Sequence, residues 1–311
     1  MDKIICIAGP TASGKTALAV ELAKITGGEV VSCDSMQVYK RMDIGTAKPT
    51  REEMQGIPHH MLDVCEPDED FSVSRYCEMA TPIVDDILRR GKTAIIAGGT
   101  GLYMDALIKG NDFAPYPSTG RRQELEALAD AQGIETVMAQ LRAVDPDSAN
   151  RLHLSDRKRI IRAMEVYLET GETITAHNLR TQAIPPRYNP LWFGLEDENR
   201  QDLYDRIDRR VDIMLQMGLV DEIKSLLHSG IPPKCTAMQA IGYKEFVAAL
   251  EGRCTIEEAA DEVRKGSRHY AKRQLTWFRR NPKMVWLRRG VTEGTPEILE
   301  KARQHFFAFD N

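Results

Sequence analysis

The sequence predicts an α/β protein: a parallel-sheet core flanked by helices, interrupted by an all-helical insertion. Three observations carry this prediction. The segment Gly9-Pro10-Thr11-Ala12-Ser13-Gly14-Lys15-Thr16 fits G-x-x-x-x-G-K-[ST] between an apolar run and a helical pattern. Strand and helix patterns alternate over roughly the first hundred residues. From Thr119 to about Thr170 the pattern is helical, with no strand candidate.

Residues 4–8, Ile-Ile-Cys-Ile-Ala, read as a buried parallel strand, and residues 17–24 as the helix after the loop. A loop in this position binds phosphate because consecutive backbone N–H groups point inward at the positive end of a helix dipole. Lys15 adds a point charge, and the Thr16 hydroxyl is placed to hold a magnesium ion. The core is therefore P-loop NTPase-like, and its ligand carries adjacent phosphoryl groups. The competing reading is a glycine-rich turn without a ligand. Residues 29–33 form the next strand candidate, ending at Asp34, and residues 92–97 another, ending in the turn Gly98-Gly99-Thr100-Gly101-Leu102-Tyr103. Ligands of such sheets bind beyond the carboxyl ends of the strands, so Asp34, the phosphate loop and this turn are expected to share one crevice.

Residues 111–118 read as a loop by their turn residues. Asp145-Pro146-Asp147 and Ser155-Asp156 look like helix starts, and Gly171 like a helix stop. After Pro185-Pro186 a strand candidate at 191–195 returns the chain to the core, which reads as largely helical to its end. The expected organisation is a core of residues 1–111 and 189–311 with a helical insertion at 112–188.

At 311 residues the chain holds one large domain or two, and its 42% hydrophobic and 28% charged residues are those of an ordinary globular protein. No apolar run approaches a membrane span, and no signal peptide is read at the start. The six cysteines form no C-x-x-C pair, which suggests free thiols in a reducing cytoplasm. The net charge of −4 argues weakly against nucleic acid, but its distribution argues the other way. From Val263 to Gly290 there is no acidic residue, and Arg264, Lys265, Arg268, Lys272, Arg273, Arg279, Arg280, Lys283, Arg288 and Arg289 alternate with Tyr270, Trp277, Phe278 and Trp286. Arg151, Arg157, Lys158, Arg159 and Arg162 form a second cluster. Either run alone suits a solvated helix face; beside a phosphate loop, both point to nucleic acid. His59-His60 lacks a third ligand at suitable spacing, so a structural or gating role is favoured over a metal.

Several blocks together resemble the tRNA dimethylallyltransferases, also called tRNA isopentenyltransferases. They are the phosphate loop, Asp34-Ser35-Met36-Gln37-Val38-Tyr39, Ile44-Gly45-Thr46-Ala47-Lys48-Pro49, Pro58-His59-His60-Met61-Leu62-Asp63 and the Gly98 turn. Gly218-Leu219-Val220-Asp221-Glu222, Gln239-Ala240-Ile241-Gly242-Tyr243-Lys244-Glu245 and Tyr270-Ala271-Lys272-Arg273-Gln274-Leu275-Thr276-Trp277-Phe278 complete the set. The resemblance implies transfer of a five-carbon prenyl group from dimethylallyl diphosphate to N6 of adenosine 37 of tRNA, with Mg2+; a cytoplasmic location is expected from the cysteines, and a monomer is expected.

An exocyclic adenine amine is a poor nucleophile and must lose a proton as its new bond forms, so a carboxylate within reach is needed. Asp34 is the candidate base; as the end of a Walker-B-like strand it also suits metal support, and structural capping is the third reading. Charge growing on the leaving diphosphate calls for loop amides, Lys15, an arginine and a hydroxyl. Arg206 is the candidate arginine, with Arg209 as substitute and an ion pair between Arg206 and Asp202 as the competing reading. Thr100 is the candidate hydroxyl. Asp34, Ser35, Met36, Gln37 and Thr100 are expected to meet the tRNA at the entrance, with Gln37 able to pair with a base edge and Met36 and Val38 alternatively core. Arg122 and the run Lys158, Arg159, Ile160, Ile161 and Arg162 are expected to touch tRNA, the basic members gripping phosphates. The rival functions are a P-loop small-molecule or nucleotide kinase, a prenyltransferase of free adenine nucleotides, and a nucleotide-driven RNA-binding switch.

Overall fold

Lys3–Ala8 (β1) is apolar and buried beyond its first residue, and it takes an inner place in the sheet. The computed structural model describes residues 2–110 and 119–310, so the expected loop at 111–118 lies outside the described residues. Two compact units result, Met1–Gly110 with Arg187–Asn311, and Asn111–Pro186.

In the first unit the other strands are Glu29–Ser32 (β2), His59–His60 (β3), Ala94–Gly98 (β4), Asn189–Asp197 (β5) and Met284–Arg289 (β6). They make one parallel sheet in the order β3-β2-β4-β1-β5-β6. The chain first builds to one side of β1 and later, through β5 and β6, to the other. The loop after β1 thus emerges at the topological switch point, where ligands of such sheets bind. Lys15–Thr26 (α1), Arg51–Met54 (α2), Val73–Arg89 (α3) and Gly101–Lys109 (α4) follow in the amino-terminal half. Leu18 and Leu22 of α1 pack on Ile5, Ile7, Ile95, Phe193 and Leu195 of the sheet. Each such side chain contributes about 1.5–3 kcal/mol by leaving water.

The second unit is helical: Arg121–Gln132 (α5), Ile134–Val144 (α6), Pro146–Arg151 (α7), Arg157–Thr170 (α8) and Ile174–Ala183 (α9). Asp145 caps α7, accepting the Ser148 N–H at 3.0 Å ahead of Pro146, and Gly171 ends α8 in the left-handed region. Its core joins Leu125, Val137, Leu141, Ile160, Ile161 and Met164.

Back in the first unit come Arg200–Gln216 (α10), Leu219–His228 (α11), Lys244–Leu250 (α12), Ile256–Phe278 (α13) and Thr295–Asp310 (α14). A Thr255–Glu258 capping box starts α13. Among the described residues no helix is long and apolar enough to cross a membrane.

Two strands were not expected from the sequence. β6 sits inside the basic run, where Lys283, Arg288 and Arg289 hide the apolar residues Met284 to Leu287. β3 is only two histidines long. His60 Nε2 pairs with the buried Glu29 carboxylate at 2.8 Å, alongside Arg90 and Lys92 at the amino end of β2. Arg90 above all holds that carboxyl well below the usual range, and the histidine contacts are those of a structural edge.

Candidate active site

The carboxyl ends of the strands open onto a cavity of 890 Å³ in the first unit. Thr11 to Ala17 line one side, Asp34 to Gln37 another, Gly45 to Ala47 a third. α10 adds Arg206, Arg209 and Arg210, and α13 adds Tyr270, Arg273 and Gln274. Gly9 and Pro10 are buried beneath the loop, where the Pro10 carbonyl accepts Ser13 Oγ at 2.8 Å and Lys15 Nζ at 2.6 Å. Gly14 is left-handed at φ 87°, and an added Cβ would stand 2.8 Å from Arg289 Nη2. Glycine therefore lets an arginine from β6 reach the Ser13 carbonyl at 3.0 Å.

The site is cationic on the loop side. Burial pulls the Lys15 amine down to about 8, against the Asp34 charge that raises it. Arg210 Nη1 donates to Thr11 Oγ1 at 3.3 Å; burial pulls this guanidinium down, opposed by Glu53 and Asp34. Arg206 does not pair with Asp202. Its Nε donates to the Ala12 carbonyl at 3.0 Å and its Nη2 meets Asp197 at 2.5 Å, which fastens α10 to the phosphate loop. Arg209 also lines the cavity. Neither Arg210, Arg289 nor Tyr270 was expected at the site; Arg210 lies four residues beyond Arg206, on the same helix face.

Asp34 Oδ1 accepts the Met36 N–H at 2.9 Å, a local turn that holds the carboxylate at the cavity wall. Thr100 lies just outside the lining: its Oγ1 accepts the Ser35 N–H at 3.0 Å, so it braces the Asp34 turn. Burial and the Asp34 charge push the Tyr270 phenol up to about 12, against the pull of the Thr100 hydroxyl. Gln37 lines the cavity, and its amide also braces the loop: Oε1 accepts Ser32 Oγ at 2.9 Å while Nε2 donates to the Thr46 and Ala47 carbonyls at 3.3 and 3.1 Å. Val38 is fully buried core, whereas Met36 reaches the cavity. Thr16 faces the same space, and no group of three or more acidic, His or Cys side chains is poised for a metal among the described residues.

Three of the sequence blocks meet at one carboxylate. Glu222 accepts the N–H groups of Asp43, Ile44 and Gly45 at 2.9, 2.8 and 3.3 Å, and the Tyr243 hydroxyl at 2.6 Å. This fixes the Gly45–Ala47 wall. Glu222→Ala is expected to lower stability by about 1–3 kcal/mol, because it strands a buried phenol and three backbone donors. Urea unfolding measures this, and an unchanged midpoint would show that the wall is held elsewhere.

The basic residues separate into two kinds. Arg264 pairs with Asp212, Arg268 with Asp208, and Arg279 with Glu196, so much of the run is neutralised by β5 and α10. Lys272, Arg273 and Arg280 instead line a second cavity of 430 Å³, with Arg280 stacked 4.0 Å from the Trp277 ring centroid. In the helical unit Lys158 and Arg159 are exposed, Arg122 pairs with Glu126, and Arg162 with Glu165. Ile160 and Ile161 are 0% and 2% exposed, and their side chains pack the core of that unit, so any surface of this run is formed by its basic neighbours.

Residues 37–281 match the model of a family described as IPP transferase. A tRNA dimethylallyltransferase of Acetivibrio thermocellus is 43% identical over 310 residues, 99% of each chain. The chain belongs to the tRNA dimethylallyltransferase family. Another member, from Thermoanaerobacter sp. (strain X514), is 47% identical over 286 residues, 91% of each chain. The full-length tRNA isopentenylpyrophosphate transferase of Bacillus halodurans superposes with a TM-score of 0.74 at 42% identity, covering 99% of this chain and 96% of that one. A eukaryotic dimethylallyltransferase acting on tRNA gives 0.83 at 29% identity, covering all of this chain and 79% of that one. The tRNA dimethylallyltransferase family thus accounts for the P-loop-like fold and for an enzyme of the transferase class, and the kinase reading is not favoured.

Proposed function

We propose that the chain transfers the dimethylallyl group of dimethylallyl diphosphate to the N6 amine of adenosine 37 in tRNA. One observation carries the reading: a single cavity combines cations beside a phosphate loop, a carboxylate, and an apolar wall of Ile207, Val211, Met214 and Ile241. Loop amides from Ala12 onward, Lys15, Arg206 and Arg210 bind the diphosphate, with Arg209 within the same wall. The apolar wall takes the prenyl tail. Attack by N6 forms the new N–C bond as the C–O bond to diphosphate breaks, and the N6 proton passes to Asp34. Thr100 acts here through Ser35, holding the Asp34 turn.

The donor set suits Mg2+ held by the Thr16 hydroxyl, substrate oxygens and water, since this ion rarely takes an all-protein cage. When bound it offsets charge on the leaving diphosphate. Asp34, Ser35 and Met36 line the entrance for a base extruded from its stack. Arg122, Lys158, Arg159 and Arg162 contact the tRNA backbone. Four buried free cysteines suit a reducing cytoplasm, and a site built from one chain suits a monomer.

The deciding assay follows label from dimethylallyl diphosphate, or from ATP, with and without bulk tRNA. Label entering tRNA from the prenyl donor, with no ATP consumed, supports the reading; label entering free adenine nucleotides alone, or coming from ATP, overturns it. The basic surfaces make a separate prediction. Neutralising Lys158 with Arg159, or Lys272 with Arg280, is expected to raise the KM for tRNA and leave that for the prenyl donor unchanged. Removing each cation that grips a phosphate flattens the salt dependence of tRNA binding by a slope of roughly 0.7–0.9. Arg279, already paired with Glu196, is expected to contribute less than Arg280. Superimposable salt curves would show that these residues do not touch RNA.

A further inference from the structure

Helix α13 turns one face to the catalytic loops. Tyr270, Gln274 and Trp277 recur on that face at helical spacing. Trp277 donates its indole N–H to Asp105 at 3.0 Å and lies against Gly101. Gln274 is 5% exposed and sits between two loops that are remote in sequence. Its Oε1 accepts the Thr11 N–H of the phosphate loop at 3.0 Å, and its Nε2 donates to the Gly99 carbonyl at 3.0 Å. A Cβ at Gly99 would stand 2.1 Å from that nitrogen, so only glycine admits the contact. Thr100, the next residue, holds the Ser35 N–H beside Asp34.

We infer that Gln274 is a positioning residue for the transfer reaction. It sets the distance between the loop that grips the leaving diphosphate and the turn that supports the base. The inference rests on the functional reading above. An amide is required because one end must accept and the other donate, at a site too buried for water to substitute. The Thr11 N–H, committed to Gln274, is withdrawn from the phosphate-binding set. Gln274 touches neither reacting atom; it acts by keeping donor and acceptor in register, where a misplacement of about 1 Å costs about 10²-fold in rate.

The test compares wild type, Gln274→Glu and Gln274→Met in labelled prenyl transfer to tRNA, with melting temperature measured alongside. An ionised Glu still accepts the Thr11 N–H but opposes the Gly99 carbonyl. The expected result for Gln274→Glu at pH 8 is a kcat about 10²-fold lower, with the KM for dimethylallyl diphosphate within about threefold of wild type. As pH falls, the protonated side chain again donates to Gly99, so the ratio of variant to wild-type kcat rises. Gln274→Met keeps the volume and loses both bonds, and is expected to lose kcat and raise the donor KM together. An unchanged kcat in Gln274→Glu, a pH-independent ratio, or a rate loss that merely follows the unfolded fraction would overturn the inference while leaving the functional reading intact. A wild type that moves no label to tRNA would overturn both.

Discussion

Asp34→Asn is expected to fold, bind tRNA and prenyl diphosphate, and transfer about 10²–10⁴-fold more slowly. The amide keeps the shape of the carboxylate, and its oxygen can still accept the Met36 N–H that carboxylate Oδ1 now takes at 2.9 Å. The turn, and with it the Ser35–Thr100 contact, should survive. What disappears is the basicity that receives the N6 proton. Single-turnover transfer with both substrates saturating isolates that step from binding. Two results would displace the assignment. An unchanged rate would remove Asp34 as the base, and a loss repaired by raising the magnesium concentration would make it a metal support. The cation set around Asp34 sharpens the contrast. Lys15 and Arg210 both feel its charge, so the variant also relieves part of the attraction that keeps the lysine protonated. A modest weakening of diphosphate binding is therefore compatible with the base role, whereas loss of the chemical step at saturation is its signature.

What the sequence revealed depended on how locally each feature is encoded. The β1-loop-α1 unit is contiguous, and every part of it was legible: an apolar strand, a glycine loop and a helix in that order. β2, β4 and β5 are short apolar runs that end in turn residues, and each reads as a buried strand for that reason. β6 does not, since an edge strand needs fewer apolar positions and this one is bracketed by Lys283 and Arg289. The basic run that contains it read as pointing to nucleic acid throughout because the carboxylates that answer part of it, Glu196, Asp208 and Asp212, come from other elements.

The site divides in the same way. Lys15, Thr16 and Asp34 belong to motifs whose chemistry is explicit. Arg210 and Gln274 reach the loop from 199 and 263 residues away, distances at which no pattern in one sequence pairs them. A spacing of four residues from Arg206 was the available sign for Arg210. Ile160 and Ile161 carry the opposite lesson. They sit between cations, yet Ile160 and Met164 are one helical turn apart, the spacing of a core face. Their neighbours Lys158 and Arg159 remain on the surface that the RNA prediction addresses.

Lys15→Ala is expected to weaken diphosphate binding by about tenfold to 10²-fold and to lower transfer at subsaturating donor in proportion. A hydrogen bond to a charged group is worth about 1.5–3 kcal/mol, and 1.4 kcal/mol is tenfold in affinity. The pH dependence gives a more exacting test, and its sign follows from the direction of the shift. Burial lowers the Lys15 amine from 10.5 to about 8 in the folded protein. Between these values the unfolded chain holds the proton more tightly, so this group's contribution to folding stability improves as pH rises through that window. Diphosphate binding runs the other way, because the ammonium is the form that meets the anion. Raising pH through about 8 should therefore cost wild type affinity over the same range in which it gains stability. Titrating inorganic diphosphate into wild type and Lys15→Ala from about pH 6 to pH 10 separates this group from the ligand's own ionisation, which both proteins share. Two pH profiles that differ only by a constant offset would assign the charge to Arg206 and Arg210 and leave Lys15 a structural contact of the Pro10 carbonyl. Profiles that are separate below about pH 8 and converge above it would place the titrating ammonium on the ligand.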